Sequence, residues 1–133
     1  MDNLFINATA KSPAIELDSH TGNFKIKGRL IPDDSDAFWL PVKKWVKEYV
    51  LHPAEKTSLV IDVEYMNITS SKYLLNILYK LNDIFIQGYG VEIIWRYKEK
   101  DADVKEIGED FAFMVKIPFE FCPYSELVYA MAI

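Results

Sequence analysis

Tyr65-Met66-Asn67-Ile68-Thr69-Ser70-Ser71-Lys72 is the stretch where one periodicity gives way to another. Upstream, Thr57 to Glu64 alternates, with Leu59, Ile61 and Val63 on one side, as in a strand. Downstream, Leu74, Ile77, Leu78, Leu81, Ile84 and Phe85 recur with the 3.6-residue period of a helix. That helix is expected from about Ser70 to Gln87, with Gly88 closing it. Thr69, Ser70 and Ser71 then fall where the first backbone N–H groups of a helix lack partners and its dipole is positive. One hydroxyl can cap such a helix, or the spot can hold a phosphate.

Working outward, Val91 to Tyr97 reads as a strand with Val91, Ile93, Trp95 and Tyr97 on one side. Joined by a crossover helix, it should lie parallel to the Thr57–Glu64 strand with a right-handed connection. Towards the N-terminus, Ala14 to Leu17 and Asn23 to Gly28 flank Asp18-Ser19-His20-Thr21-Gly22, the spacer of an antiparallel hairpin. The loop Ile31 to Asp36 ends in N-cap residues, and Phe38, Val42, Trp45 and Tyr49 mark the inward stripe of a helix. Pro41 sits early in that helix, and His52-Pro53 ends it. Asp101 opens a further helix to about Val115, with Val104, Ile107, Phe111 and Met114 inward, and Pro118 to Phe121 is a short last strand. The order β-β-α-β-α-β-α-β predicts an α/β fold, a mixed sheet packed with helices in a single domain over residues 1–133. The apolar tail from Ser125 to Ile133 is too short to assign.

Half of the 133 residues are hydrophobic, enough for a sizeable core, and the net charge is −5. An acidic chain without a basic cluster argues against nucleic acid as a partner, because binding there rests on displacing counterions from phosphates. A single cysteine, Cys122, provides neither a disulfide nor a zinc site, and fits a reducing, cytoplasmic setting. No apolar run approaches the ~20 residues that cross a bilayer, so no membrane insertion is expected.

Catalytic chemistry needs convergent groups, and the sequence suggests none. His20 lies in a turn and His52 at a helix end, where a cation suits the dipole. No serine stands in a Gly-x-Ser-x-Gly elbow. Cys122, between Phe121 and Pro123, reads as a small buried hydrophobe. Asp101-Ala102-Asp103 opens like a calcium loop, but Lys105 takes a ligand position and Glu106 replaces the glycine of the turn. Those aspartates, like Asp33-Asp34-Ser35-Asp36, are better read as helix caps. No enzyme activity, cofactor or metal is expected.

From about Ser12 to Phe121 the chain resembles the SiaC-like bacterial regulatory phosphoproteins, whose fold is similar to the STAS domains of anti-sigma-factor antagonists. The resemblance is carried by Ser12-Pro13, Gly28-Arg29, Ile31-Pro32, Trp45, Tyr49 and Pro53. It continues through Glu64-Tyr65-Met66-Asn67 leading into Ser70-Ser71-Lys72, then Gly88, Trp95, Tyr97, Gly108-Glu109-Asp110-Phe111 and Pro118-Phe119. It implies partner switching: phosphorylation by a dedicated Ser/Thr kinase, and reactivation by a PP2C-type phosphatase. In the best-understood branch the unphosphorylated form activates a diguanylate cyclase, raising cyclic-di-GMP and favouring biofilm. The family's phosphoacceptor is usually a threonine directly after the equivalent of Asn67, where this chain has Ile68. The acidic run that usually precedes Gly108-Glu109-Asp110-Phe111 is interrupted by Ala102 and Val104.

The expectation is therefore a non-enzymatic cytoplasmic signalling protein. Thr69 and Ser70 are its candidate phosphoacceptors, and Asn67, Ile68, Ser71 and Lys72 form its partner surface. Ile68 keeps open a constitutive adaptor of the same fold. A small-molecule-binding domain would need a pocket with convergent polar groups.

Overall fold

The computed structural model describes residues 1–125; the tail expected from Ser125 lies outside the described residues from position 126 on. Six strands form one sheet in the order β1-β2-β3-β4-β5-β6: β1 (Leu4–Ile6), β2 (Ala14–Leu17), β3 (Asn23–Leu30), β4 (Lys56–Met66), β5 (Gly90–Lys98) and β6 (Phe119–Tyr124). The helices α1 (Ser35–Tyr49), α2 (Ile68–Ile86) and α3 (Ala102–Met114) connect β3 to β4, β4 to β5 and β5 to β6. β1, β2 and β3 pair antiparallel, whereas β3, β4, β5 and β6 pair parallel. The mixed α/β fold and the order of the longer elements are those read from the sequence. β1 is an addition: a three-residue edge strand, too short to show a period of its own.

Strand order follows chain order without a reversal, so crossovers of one hand place every helix on the same face. Side chains agree. Phe24 meets Trp45 and Tyr49 of α1 edge-to-face, and Tyr49 Oη lies 2.8 Å from Thr57 Oγ1 on β4. Trp95, in register with Ile61 and thus with Ile26, packs on Phe111 of α3, and its Nε1 donates to the Val104 carbonyl. Ile26, Leu59, Ile61, Ile93 and Trp95 form the buried floor of this layer.

The opposite face carries cross-strand charge pairs instead: Arg96 with Asp62 at 3.3 Å and Lys98 with Glu64 at 2.9 Å. Tyr124 Oη donates to the same Asp62, so one carboxylate joins β4, β5 and β6.

Two helices are rotated relative to the sequence reading. In α1 the buried residues are Trp39, Val42, Val46 and Tyr49, while Phe38 and Trp45 pack only partly. The predicted stripe was right at Val42 and Tyr49 but one residue off elsewhere, because α1 wedges between β3 and α2 and buries a wider arc than one stripe. In α3 Val104 and Phe111 are buried as expected, but Gly108 replaces Met114 in the interface. A Cβ on Gly108 would lie 2.5 Å from the Trp95 ring, so the helix approaches the tryptophan through its glycine and leaves Met114 half in solvent. At the end of α2, Gly88 has φ +107°, and the Gly88 and Tyr89 amides donate to the Phe85 and Ile84 carbonyls, a Schellman ending.

Candidate functional site

The β4–α2 junction is built on a bulge. Arg29 pairs with Glu64 and Leu30 with Met66, so Tyr65 is the extra residue, at φ +49°. Positive φ disfavours a residue with a Cβ, and such strain persists only where neighbours hold it. Here the Arg29 guanidinium lies 5.4 Å from the Tyr65 ring centroid. The bulge turns Tyr65 outward, where it is 62% exposed. Nothing in the sequence marks Tyr65 for this role, since a non-glycine residue at positive φ leaves no mark there.

Asn67, and none of the three hydroxyls, caps α2. Its Oδ1 accepts the Ser70 N–H at 2.8 Å, its Nδ2 donates to Ser35 Oγ, and its N–H donates to the Leu30 carbonyl. One residue therefore ties together the starts of α1 and α2, through its side-chain amide, and the end of β3, through its backbone N–H. The hydroxyl cap expected at Thr69, Ser70 or Ser71 is corrected: asparagine is as good an N-cap as serine, and it stands one residue before the helix.

The adjacent hydroxyls separate by helical geometry. Ser70 is fully buried, and its Oγ accepts the Trp39 Nε1–H at 2.9 Å. Of the two candidate acceptors, Thr69 and Ser70, only Thr69 therefore reaches solvent, because the 100° rotation from Thr69 to Ser70 aims Ser70 into the α1–α2 interface. Ser71 Oγ donates back to the Ile68 carbonyl. Thr69 and Lys72 are exposed, and Ile68 is 76% exposed. Tyr65, Ile68, Thr69 and Lys72 thus reach solvent at one junction, with Asn67 and Ser70 beneath as its supports. No acidic side chain occupies the first turn of α2.

The remaining candidates have local explanations. Asp34 and Asp101 accept the Ala37 and Val104 amides as N-caps of α1 and α3. Asp18 accepts the Thr21 and His20 amides, which hold its carboxyl below the usual range. Cys122 is half-buried, not buried as the sequence suggested; burial, then Glu120, pushes its thiol up. No cluster of metal-ligating side chains occurs among the described residues. No helix among them is long and apolar enough to cross a membrane. A cleft of about 690 Å³ lies at the C-terminal ends of β4, β5 and β6, lined by Glu64, Tyr65, Lys98, Asp101 and Tyr124 among others. Because the strand order never reverses, the sheet has no switch-point crevice of the kind that holds ligands in doubly wound folds.

The SiaC family of regulatory phosphoproteins matches residues 6–124, and this chain belongs to that family. An uncharacterised protein of Pseudomonas aeruginosa strain UCBPP-PA14 is 27% identical over 126 residues, 95% of this chain and 100% of that one. The crystal structure of apo-SiaC from Pseudomonas aeruginosa superposes with a TM-score of 0.84 at 26% identity, covering 92% of this chain and 99% of the other. A structure of the Pseudomonas aeruginosa diguanylate cyclase SiaD in complex with its activator SiaC matches with a TM-score of 0.84 and 26% identity, over 91% and 99% of the two chains.

Proposed function

We propose that this chain is a non-enzymatic activator of a diguanylate cyclase, that it docks through the surface around Tyr65 and Ile68, and that phosphate on Thr69 releases the partner. The observation that carries the reading is the exposed Thr69 hydroxyl beside the exposed Ile68, with Ser70 withdrawn into the core. Family membership and the likeness to a SiaC that activates SiaD support the choice of target.

A phosphate adds roughly −1.5 to −2 charges at pH 7. At Thr69 it meets the positive end of α2, with Lys72 one turn along, so the fold tolerates it. The same charge stands next to Ile68, a side chain a partner must desolvate, and weakens docking. A Ser/Thr kinase and a PP2C-type phosphatase set the balance in the cytoplasm, and the output is cyclic-di-GMP.

A second reading, the constitutive adaptor, is favoured by Ile68 at the position where the family resemblance puts the acceptor. The two are separated by measuring cyclic-di-GMP synthesis by a SiaD-like cyclase from the same organism. Under the switch, the unmodified chain stimulates synthesis, Thr69→Ala does so equally, and Thr69→Glu does so at least several-fold less. Equal stimulation by Thr69→Glu, with no phosphate on the chain purified from its native cell, leaves the adaptor.

A further inference from the structure

We infer that the solvent face of α2 is a self-association seam that pairs two copies of this chain antiparallel. The core-facing side of α2 is fully used by Ser70, Leu74, Ile77, Leu78, Leu81 and Ile84. On the side away from it Ile68, Lys72, Leu75, Tyr79, Asn82 and Ile86 follow one another at intervals of four, three, four, three and four residues, Leu75 half-buried against the core and Asn82 Oδ1 accepting the Lys116 N–H at the seam's edge. That is the spacing of a coiled-coil seam over the whole helix. The seam is apolar where a surface helix is normally polar: Ile68 is 76%, Tyr79 44% and Ile86 66% exposed.

Two features point to a second copy as the occupant. The seam reads apolar, polar, apolar, apolar, polar, apolar in both directions, so it is its own complement under a two-fold axis. Antiparallel pairing centred on Ile77 sets Ile68 against Ile86 of the second copy, and Leu75 against its Tyr79. It also brings Lys72 beside Asp83 of the second copy, twice by symmetry. Both residues are exposed, and neither forms an ion pair within the chain among the described residues. Parallel pairing would instead stack Lys72 on Lys72. Charge therefore fixes the direction. Ile68 belongs both to this seam and to the proposed cyclase-docking surface, so pairing and docking exclude each other there. The seam's spacing, exposure and charge do not depend on that reading.

Sedimentation of the full chain alone, from micromolar to near-millimolar concentration, tests the inference with no cyclase present. A reversible monomer–dimer equilibrium is expected. Ile86→Asp should weaken it roughly tenfold or more, as loss of an apolar anchor does. Lys72→Asp and Asp83→Lys should each weaken it, and the double charge reversal should restore it, with unchanged circular dichroism throughout. A chain that stays monomeric at near-millimolar concentration overturns the inference, as does a dimer indifferent to Ile86→Asp and to the charge reversals. Loss of cyclase activation by Ile86→Asp in a chain that never self-associates would assign the seam to a different partner, and equally overturn it.

Discussion

Thr69 and Ser70 are neighbours in sequence with opposite surroundings, so carboxylate substitutions at the two should report different things. At Ser70 a carboxylate would be driven into a site with no solvent access and would remove the acceptor of the Trp39 indole. Ser70→Glu is expected to cost about 3 kcal/mol or more in chemical denaturation. Thr69→Glu, in an exposed first turn without an acidic neighbour, should change stability by less than ~1 kcal/mol and still lower cyclase activation. Comparable loss of stability at both positions would mean that Thr69 is not the open position described above.

Among the elements, α2 is anchored at its start by one amide and along its side by one phenol. Asn67→Ala removes the cap and leaves Ser35 without its partner, and should lower stability by about 1–2 kcal/mol, with Asn67→Asp recovering most of it. Tyr73 Oη donates to Asp36 at 2.6 Å, linking α2 to α1. That hydrogen bond, then burial, raises the phenol's pKa above its ordinary 10.0. A folded-state pKa above the unfolded one means the link is intact below the unfolded value and is lost as pH rises through the folded value. The melting-temperature difference between the native chain and Tyr73→Phe should accordingly be constant near neutrality and shrink above about pH 10. A difference that grows with alkali would contradict the assignment.

At the scale of the molecule, the two faces of the sheet are held by different forces. The helix-covered face depends on close fit, and Gly108→Ala would press a methyl group onto Trp95, which is fully buried and hydrogen-bonded and has no room to yield. A loss of about 1–3 kcal/mol is expected, more than the helix propensity alanine brings. The other face depends on pairing. Asp62→Ala strips Arg96 and Tyr124 of a common acceptor and should cost about 1–3 kcal/mol, discounted for the partial exposure of Arg96. Asp62→Asn, which still accepts from Tyr124, should cost less; equal loss would show that Tyr124 contributes nothing to the joint.

By itself the sequence determined the three helices and every strand but the short edge strand β1, because alternation along Thr57–Glu64 and Val91–Tyr97 and the 3.6-residue period of α2 are local consequences of where apolar side chains must point. It also determined that the junction at Tyr65–Lys72 presents hydroxyls at a helix start. Only tertiary structure decided which hydroxyl reaches solvent, since that turns on where Trp39 of α1 needs an acceptor, 31 residues away in the chain. The cap passed to Asn67 because its side-chain amide also meets Ser35 while its backbone N–H holds the Leu30 carbonyl. The inward arcs of α1 and α3 depended on what each packs against, a wedge between β3 and α2 for one and a tryptophan that admits only glycine for the other. Tyr65 was turned outward by a register slip between β3 and β4, which arises from pairing two strands and is absent from either alone.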